Sequence, residues 1–302
     1  MRFVRFRDKQ QVRCGYLQGG QVVDLENALE HFSSDGALIE RILTSPLEKL
    51  AQDPEMFSQL RRLAEKTREA LPGADYARPA EEITFLPPVS VPGKVLCVGL
   101  NYPSPGDADD HAAPEYPVLF HKAASALTGH RQPILLPRIS QQVEYEGELA
   151  VVIGKEARQL SGADVEEHLA GYTIANDIGA RDVQARSSQW TSGKMFDTFC
   201  PLGPALVTVD EVPRPNKLRI QTRLNGETVQ DSSTDQMIFP VEDLVSYISA
   251  LTTLLPGDLI LTGSPKNRGD QADPRKLLRP ADCIQVEIES IGVLTNPVAA
   301  EE

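Results

Sequence analysis

The chain has 302 residues, of which 41% are hydrophobic and 24% are charged, and its net charge at pH 7 is −13. These are values of a globular protein with room for about two domains, so they exclude disorder, collagen and coiled coil for the whole chain. The strong negative charge argues against nucleic acid and anionic membranes as partners, because both attract basic proteins. No apolar run reaches the roughly 18 residues that a membrane span requires.

The four cysteines are Cys14, Cys97, Cys200 and Cys283, and no two of them have C-x-x-C spacing. Four isolated cysteines in a chain of this length do not form a disulfide framework. We therefore expect a reducing compartment, with the cytosol as the first choice and the mitochondrial matrix as the alternative.

The first third of the chain has the pattern of a small accessory module. Residues 2–6 and 12–25 are predicted to form short strands, and the pattern becomes helical between Gly36 and Leu71. A small α/β module is therefore expected at the N-terminus.

The segment over residues 71–94, which joins this module to the rest, is rich in proline. Proline lacks a backbone donor and restricts the residue before it, which favours an extended surface linker. We place the boundary near Pro92, so that residues 1–92 form the accessory module and residues 93–302 the main domain.

From Lys94 onward the sequence is dominated by strand patterns. Asn225-Gly226 is the strongest hairpin signal in the chain, and residues 240–258 have the pattern of an amphipathic helix that ends at Pro256-Gly257. Residues 103–117 are rich in Pro, Asp and Ala and lack periodicity, as is typical of a functional loop such as a lid. Many short strands with few helices indicate a sheet-rich α+β fold or a β-roll.

A carboxylate pattern opens one of the predicted strands. Because side chains alternate along a strand, Glu144, Glu146 and Glu148 are expected to share one face. Like charges at this spacing repel one another beside an apolar strand, and a bound cation would relieve that repulsion. The alternative is a solvated face on an edge strand, and this segment by itself does not separate the two.

A second acidic position follows another apolar strand in the segment IANDIGARD. Asp177 lies where that strand ends, and Arg181 and Asp182 follow in a turn or at the start of a helix. The alternative is that Asp177 is a helix N-cap. A site made of carboxylates alone would suit Mg²⁺ or Mn²⁺, with Ca²⁺ behind them, and the absence of neighbouring His and Cys argues against zinc.

Lys194 is a further candidate, because it lies between Gly193 and a run of aromatic and apolar residues. A lysine in such a pocket can stabilise a developing enolate or oxyanion. The alternative is a lysine whose stem packs while its ammonium group reaches solvent.

The sequence closely resembles the fumarylacetoacetate hydrolase family. The resemblance extends from Lys94 to about Val298 and rests on seven ordered motifs: GLNY, PVLFHKAASALTG, VEYEGELAVVIGK, GYTIANDIGARDVQ, QWTSGKMFDTFCPLGP, PGDLILTGSP and VEIESIGVLTNPV. The segment QWTSGKMFDTFCPLGPALVT is most similar to the branch that contains oxaloacetate tautomerases. The region before Lys94 also resembles the N-terminal module of this family.

The resemblance implies a mixed β-roll catalytic domain and a homodimer. It implies that Mg²⁺ or Mn²⁺ is held by Glu146, Glu148 and Asp177. It also implies that Lys194 is the active-site lysine. The other residues that it points to are polar or aromatic positions for substrate contacts: Arg181 and Gln184, Ser264 in place of the family threonine, and Tyr102 at the start of the lid segment.

Two departures from the family pattern affect the expected chemistry. Family hydrolases and decarboxylases carry a His–Glu pair on the lid that activates water, and here Pro105 and Ala108 occupy those positions. His111 and Glu115 are the nearest possible substitutes, although an exposed loop histidine is the simpler interpretation of His111.

The second departure lies after the Ser264-Pro265 turn, where the family usually has glycine–valine–glycine. The segment SPKNRG introduces Lys266 and Arg268, which would either recruit an additional substrate carboxylate or belong to a solvated loop.

We therefore expect a metal-dependent enzyme that forms the enolate of a small 2-oxo dicarboxylate or β-dicarbonyl compound. Tautomerase or decarboxylase chemistry is favoured, since the metal ligands are retained while the groups that activate water are missing. An acylpyruvase-like C–C hydrolase, a biosynthetic isomerase or cyclase for a larger substrate, and a non-catalytic scaffold remain as alternatives.

Overall fold

The computed structural model describes residues 1–70, 73–90, 92–103, 113–266 and 277–301. Strands dominate these residues, so the sheet-rich α+β fold is confirmed. The α-helices are α1 Leu25–Phe32, α2 Gly36–Thr44, α3 Leu47–Leu50, α4 Pro54–Ala70, α5 Arg181–Gln184, α6 Thr191–Lys194 and α7 Val241–Leu251. None of the helices in these ranges combines the length and the apolar character that crossing a bilayer requires.

The strands are short and numerous. They are β1 Arg2–Asp8, β2 Gln11–Gln18, β3 Gln21–Asp24, β4 Ala77–Pro79, β5 Thr84–Leu86, β6 Val95–Gly99, β7 Val118–His121, β8 Leu127–Thr128, β9 Ile134–Leu136, β10 Val143–Glu144, β11 Gly147–Ile153, β12 Leu169–Asn176, β13 Gly179–Ala180, β14 Cys200–Thr208, β15 Arg219–Leu224, β16 Glu227–Ser233, β17 Leu259–Leu261, β18 Cys283–Ile288 and β19 Gly292–Ala300.

Most of the strands belong to one large mixed sheet. Its order is β4-β3-β2-β1-β14-β12-β11-β17-β6-β7, with β5 paired to β1 and β8 to β14. The N-terminal strands join this sheet through the antiparallel pair β1–β14, in which Phe3 lies opposite Leu206. The sheet therefore crosses the boundary predicted near Pro92, and the division into two domains stays a prediction from the sequence.

The core lies on both faces of this sheet. In β11, Leu149 and Val151 pack into one apolar cluster with α7 and the second sheet. Ala150 and Val152 point the other way, into a cluster built with α1 to α4. Because alternate side chains of β11 enter opposite cores, the strand needs an almost continuous apolar run.

A second, five-stranded sheet has the order β16-β15-β18-β19-β9. The hairpin predicted at Asn225-Gly226 connects β15 and β16, and both turn residues have positive φ, 52° and 84°. Gly147 lets this sheet approach β11 closely, since a Cβ there would lie 2.4 Å from Thr222 Oγ1.

The proline-rich connector differs from its prediction. Strands β4 and β5 pair with β3 and β1, and Phe85 and Val89 are buried. The prediction of an extended surface linker was therefore wrong for this part. Phe85 packs against Phe6 and Val4, and this burial holds the segment in the sheet despite its prolines.

Three helix predictions also need correction. Helix α1 lies where no helix was predicted, and the side chain of Asp24 caps it by accepting from Asn27 N at 3.2 Å. The pattern of residues 164–171, DVEEHLAG, also predicts a short helix, but the structure has a pair of 3-10 turns there, Gly162–Asp164 and Glu166–His168. Helix α7 ends at Leu251, before Pro256-Gly257, and Leu254 instead forms a β-bridge with Ala157.

Candidate metal and active site

Three carboxylates meet where β11 begins and β12 ends. These strands are antiparallel, with Gly147 opposite Asn176, so Glu146 and Glu148 lie beside Asp177. One carboxylate oxygen from each of the three lies within 4.8 Å of the others. The alternative in which Asp177 caps a helix is wrong, because α5 begins after Ala180 and has no side-chain cap.

Backbone and side-chain hydrogen bonds fix this junction. Asn176 Oδ1 accepts from Glu146 N at 2.9 Å, and Asp177 N donates to Glu146 O at 2.8 Å. Glu148 Oε2 accepts from Gly263 N at 2.7 Å, in the turn after β17. Gly263 has a φ of +97°, and a Cβ there would lie 3.0 Å from Val98 O, so this donor position requires glycine.

Lys194 at the end of α6 lies between two of the carboxylates. Its ammonium group donates to Glu146 Oε2 at 2.6 Å and to Asp177 Oδ2 at 2.8 Å. Its side chain is only 2% exposed, so the alternative in which the ammonium group reaches solvent is wrong. Gly193 brings α6 close to β13, since a Cβ there would lie 2.7 Å from Ala180 O.

Arg181, at the start of α5, contacts the carboxylates of both Glu144 and Glu146. Its Nε donates to Glu144 Oε2 at 2.8 Å, and its second terminal nitrogen contacts Glu146 Oε1. Gln184, one turn further along, accepts from Arg181 at 3.3 Å. Glu144 and Glu146 thus both contact Arg181, whereas Glu148 is held by the backbone of Gly263, and the strand is interrupted between β10 and β11.

The pKa directions follow from burial and from these pairs. Burial raises the pKa of Glu148 well above its ordinary value, and neighbouring Asp177 and Glu146 raise it further. Burial also opposes the ionisation of Asp177, but the ammonium groups of Lys122 and Lys194 outweigh it and lower the pKa. Burial opposes the charge of Lys194, yet Asp177 and Glu146 outweigh it and raise the pKa, so Lys194 is an ammonium ion at neutral pH.

Lys122 is a site residue that the sequence analysis missed. It follows β7, its side chain is fully buried, and its ammonium group lies 2.5 Å from Asp177 Oδ1. It shares a strand face with Phe120, whose ring centre lies 5.7 Å from the ammonium group of Lys194. The usable signal was a lysine at the end of an apolar strand, the same kind of position that identified Asp177.

Two further predicted residues border the cluster. Tyr102 is 6% exposed, and its hydroxyl finds no hydrogen-bond partner among the residues that the structure describes. Burial raises its pKa, and the charge of nearby Glu148 adds to the effect. Ser264 Oγ accepts from Gln230 Nε2 at 3.0 Å, and Gln230 Oε1 in turn accepts from Gly147 N at 3.1 Å.

The remaining predicted positions are less informative. Arg268, Pro105, Ala108 and His111 lie outside the described residues. Glu115 and Lys266 are exposed, so neither belongs to the buried cluster.

The donor set fits a hard divalent cation. All three candidate ligands are carboxylates, which are the ligands that Mg²⁺ and Mn²⁺ prefer. Four carboxylates, Glu144 included, face three cationic side chains in the described part of the site. When all are ionised, the cluster has one excess negative charge, which attracts a cation.

The chain is similar to known proteins along most of its length. The sequence profile of the fumarylacetoacetate (FAA) hydrolase C-terminal domain matches residues 94–299. Human mitochondrial oxaloacetate tautomerase FAHD2A is 45% identical over 251 residues, which are 81% of this chain and 80% of that protein.

Two solved structures are similar along the whole chain. Fumarylacetoacetate hydrolase from Exiguobacterium antarcticum has a TM-score of 0.78 at 32% identity and covers 100% of both chains. Maleylpyruvate hydrolase from a Sphingobium species, solved with manganese(II) and pyruvate, has a TM-score of 0.75 at 28% identity and the same coverage.

Proposed function

Because the chain belongs to the fumarylacetoacetate hydrolase family, we propose that it is a divalent-metal-dependent tautomerase of a small 2-oxo dicarboxylate, with oxaloacetate as the leading substrate. The observation that carries this proposal is the buried cluster of Glu146, Glu148 and Asp177 with Lys194 against it. A relative named as an oxaloacetate tautomerase, 45% identical over most of both chains, supports the choice of substrate.

In this proposal Glu146, Glu148 and Asp177 hold Mg²⁺ or Mn²⁺. The bound dication would act as a Lewis acid that polarises the 2-oxo group and stabilises its enolate. The complex of the Sphingobium hydrolase with manganese(II) and pyruvate supports a dication and a 2-oxo acid for this kind of site. Ca²⁺ is the less suitable choice, since it usually takes about 6–8 oxygen ligands, whereas Mg²⁺ keeps several waters and needs only a few carboxylates.

Lys194 supplies a fixed positive charge in the same place. Its buried ammonium group donates to Glu146 Oε2, Asp177 Oδ2 and Asp177 O, so it would stabilise a developing enolate as a fixed positive charge that needs no further ordering. The reaction itself moves one proton between carbon and oxygen and shifts the double bond between C=C and C=O, and no C–C bond is broken.

Arg181 and Gln184 would orient a substrate carboxylate. The guanidinium group is fixed on one side by Glu144 and Glu146 and remains 29% exposed on the other. Tyr102 and Ser264 border the same space. Arg268 stays a prediction from the sequence.

Two candidate activities compete with tautomerisation. Decarboxylation would use the same enolate and release pyruvate. Hydrolysis of a C–C bond needs an activated water, and Pro105 and Ala108 stand where the family carries its His–Glu pair. We therefore place hydrolysis behind the two enolate reactions.

The test uses purified protein, the enol form of oxaloacetate, and Mg²⁺ with and without EDTA. We expect enol absorbance to decay rapidly in the presence of Mg²⁺ and slowly after EDTA, with no pyruvate in the same sample. Pyruvate formation would replace tautomerase by decarboxylase. No acceleration of either signal by the protein would contradict the proposal.

Compartment and assembly complete the proposal. The human relative is named mitochondrial, which favours the matrix over the cytosol among the two compartments considered. A homodimer remains an expectation from family resemblance, and light scattering of the purified protein would test it.

A further inference from the structure

Lys122 is a buried cation that the proposed reaction does not use. Its side chain is fully buried, and within the described residues its ammonium group donates to Asp177 Oδ1 at 2.5 Å and to Ile178 O at 2.9 Å. The backbone of Lys122 is fixed as well, because Lys122 N donates to Val95 O at 3.0 Å.

The two lysines beside Asp177 contact different oxygens. Lys122 donates to Oδ1, whereas Lys194 donates to Oδ2 and also to Glu146 Oε2, so Oδ2 is the oxygen on the side of Glu146. Asp177 is itself fully buried, so its carboxylate is held on both sides by fixed donors. Both oxygens of Asp177 therefore accept a hydrogen bond, but only Oδ2 lies on the side of Glu146.

We propose that Lys122 is a positioning residue that fixes the carboxylate of Asp177 and leaves Oδ2 as its single metal-binding oxygen. This inference rests on the proposed function, because it assigns a task to Lys122 only if Asp177 binds a dication. Residues that hydrogen-bond a metal ligand on the side away from the metal fix its orientation, and their loss typically lowers metal affinity by about 10–100-fold.

The direction of the change in metal affinity on removing Lys122 distinguishes a positioning role from electrostatic repulsion of the metal. A lysine close to a metal site repels the incoming dication, so removing its charge alone would strengthen metal binding. If Lys122 positions Asp177, its removal frees the carboxylate to rotate and weakens metal binding. The two explanations therefore predict opposite changes in affinity.

The experiment measures Mn²⁺ affinity by titration calorimetry on the full-length protein. The variants are Lys122→Met, which keeps the length and apolar stem, and Lys94→Met as the matched control. Lys94 also pairs with a buried carboxylate, that of Asp258 at 2.6 Å, but Asp258 precedes β17 whereas the turn that contacts Glu148 follows it. We expect about 10–100-fold weaker Mn²⁺ binding in Lys122→Met and unchanged binding in Lys94→Met.

The outcomes distinguish this inference from the proposed function. Wild-type protein that binds Mn²⁺, with Lys122→Met binding equally well or more tightly, overturns the inference and leaves the proposed function standing. Wild-type protein that binds no Mn²⁺ overturns both. Circular dichroism of each variant without metal shows whether the fold is retained.

A second measurement needs no variant, in case Lys122→Met does not fold. A crystal structure of the wild-type protein with Mn²⁺ should show Asp177 bound to the metal through Oδ2 only, with Lys122 still on Oδ1. A metal bound through both oxygens, or through Oδ1, would overturn the inference.

Discussion

Strands β11 and β12 are buried along their whole length, yet their middles and their shared end are stabilised in different ways. In the middle, Leu149, Val151 and Ile174 contribute apolar surface to the core. At the end, Glu148 and Asp177 are buried just as deeply but are charged or titratable. The apolar part stabilises the fold whatever the ligand, whereas the charged part depends on its partners.

This difference indicates where function can be located. Burying charged groups is costly unless they are paired, and replacing buried ion pairs by apolar groups is often neutral or stabilising. The cluster around Asp177 is therefore poorly explained by stability alone. Chemistry that requires carboxylates next to ammonium groups explains it better.

The largest effect is expected from Lys194→Met. Removing one group that stabilises a developing oxyanion typically costs about 10²–10³ in rate, so we expect oxaloacetate tautomerisation to fall by about that factor. Mn²⁺ binding should not weaken, because Lys194 contacts Asp177 Oδ2, the oxygen assigned to the metal, and its positive charge repels the dication there. Steady-state kinetics and calorimetry on the same preparation test this. Full activity in a folded variant would exclude Lys194 from the reaction.

A substitution in the apolar middle of β11 is expected to change stability and not catalysis. Leu149→Ala removes a completely buried side chain and is expected to lower the free energy of unfolding by about 2–5 kcal/mol. Urea denaturation measures this loss. Leu251→Ala is the matched control, since Leu251 is 58% exposed and its truncation should change stability by less than about 0.5 kcal/mol. Equal losses in both variants would contradict the assigned core.

A buried histidine extends the comparison to a polar group that the protein keeps neutral. His130 is 7% exposed, and its Nδ1 accepts from Thr295 N at 3.0 Å. Burial lowers its pKa from 6.5 to about 4, and the neighbouring charge of Arg131 acts in the same direction. At pH values between these two the unfolded chain binds a proton that the folded chain does not, so stability is lost as the pH falls.

The size of this effect follows from the two pKa values. Between pH 7.5 and 5.5 the histidine should account for about 1.3 kcal/mol of lost stability. Urea denaturation at both pH values should show this difference between wild type and His130→Gln, since the variant lacks the titrating group. His121→Gln, at an exposed histidine, serves as the control. Identical pH dependence in wild type and His130→Gln would contradict the prediction.

The sequence predicted what depends on local spacing. Glu146, Glu148 and the end position of Asp177 follow from strand alternation and from family motifs, and the Asn225-Gly226 turn follows from local chemistry. Lys122 was missed because its contact with Asp177 depends on the sheet order, in which β17 separates β11 from β6 and β7. Alternation along one strand carries no information about that order.

The proline-rich connector also shows that local sequence does not determine which strands pair. Its prolines predicted a surface linker, but Arg5 lies opposite Leu86 in the pairing of β1 with β5. The structure of this part of the connector is therefore determined by its pairing with β1, at the other end of the N-terminal module. Local residue preference was overridden by burial of Phe85.

The smallest expected effect concerns the hairpin, which lies outside both the charged end and the apolar middle. Gly226 has a φ of +84°, and a Cβ there would meet no atom within 4 Å, so only backbone strain opposes a side chain. Gly226→Ala should therefore destabilise the fold by about 1 kcal/mol.

Gly36→Ala is the matched control, because Gly36 begins α2 without positive φ and is equally open. It should be neutral or stabilising by up to about 1 kcal/mol. Urea denaturation of both variants tests the pair, and Mn²⁺ affinity should stay unchanged in each. A loss of metal binding in Gly226→Ala would show that the hairpin, through Gln230 on β16, helps to hold the start of β11 beside Asp177.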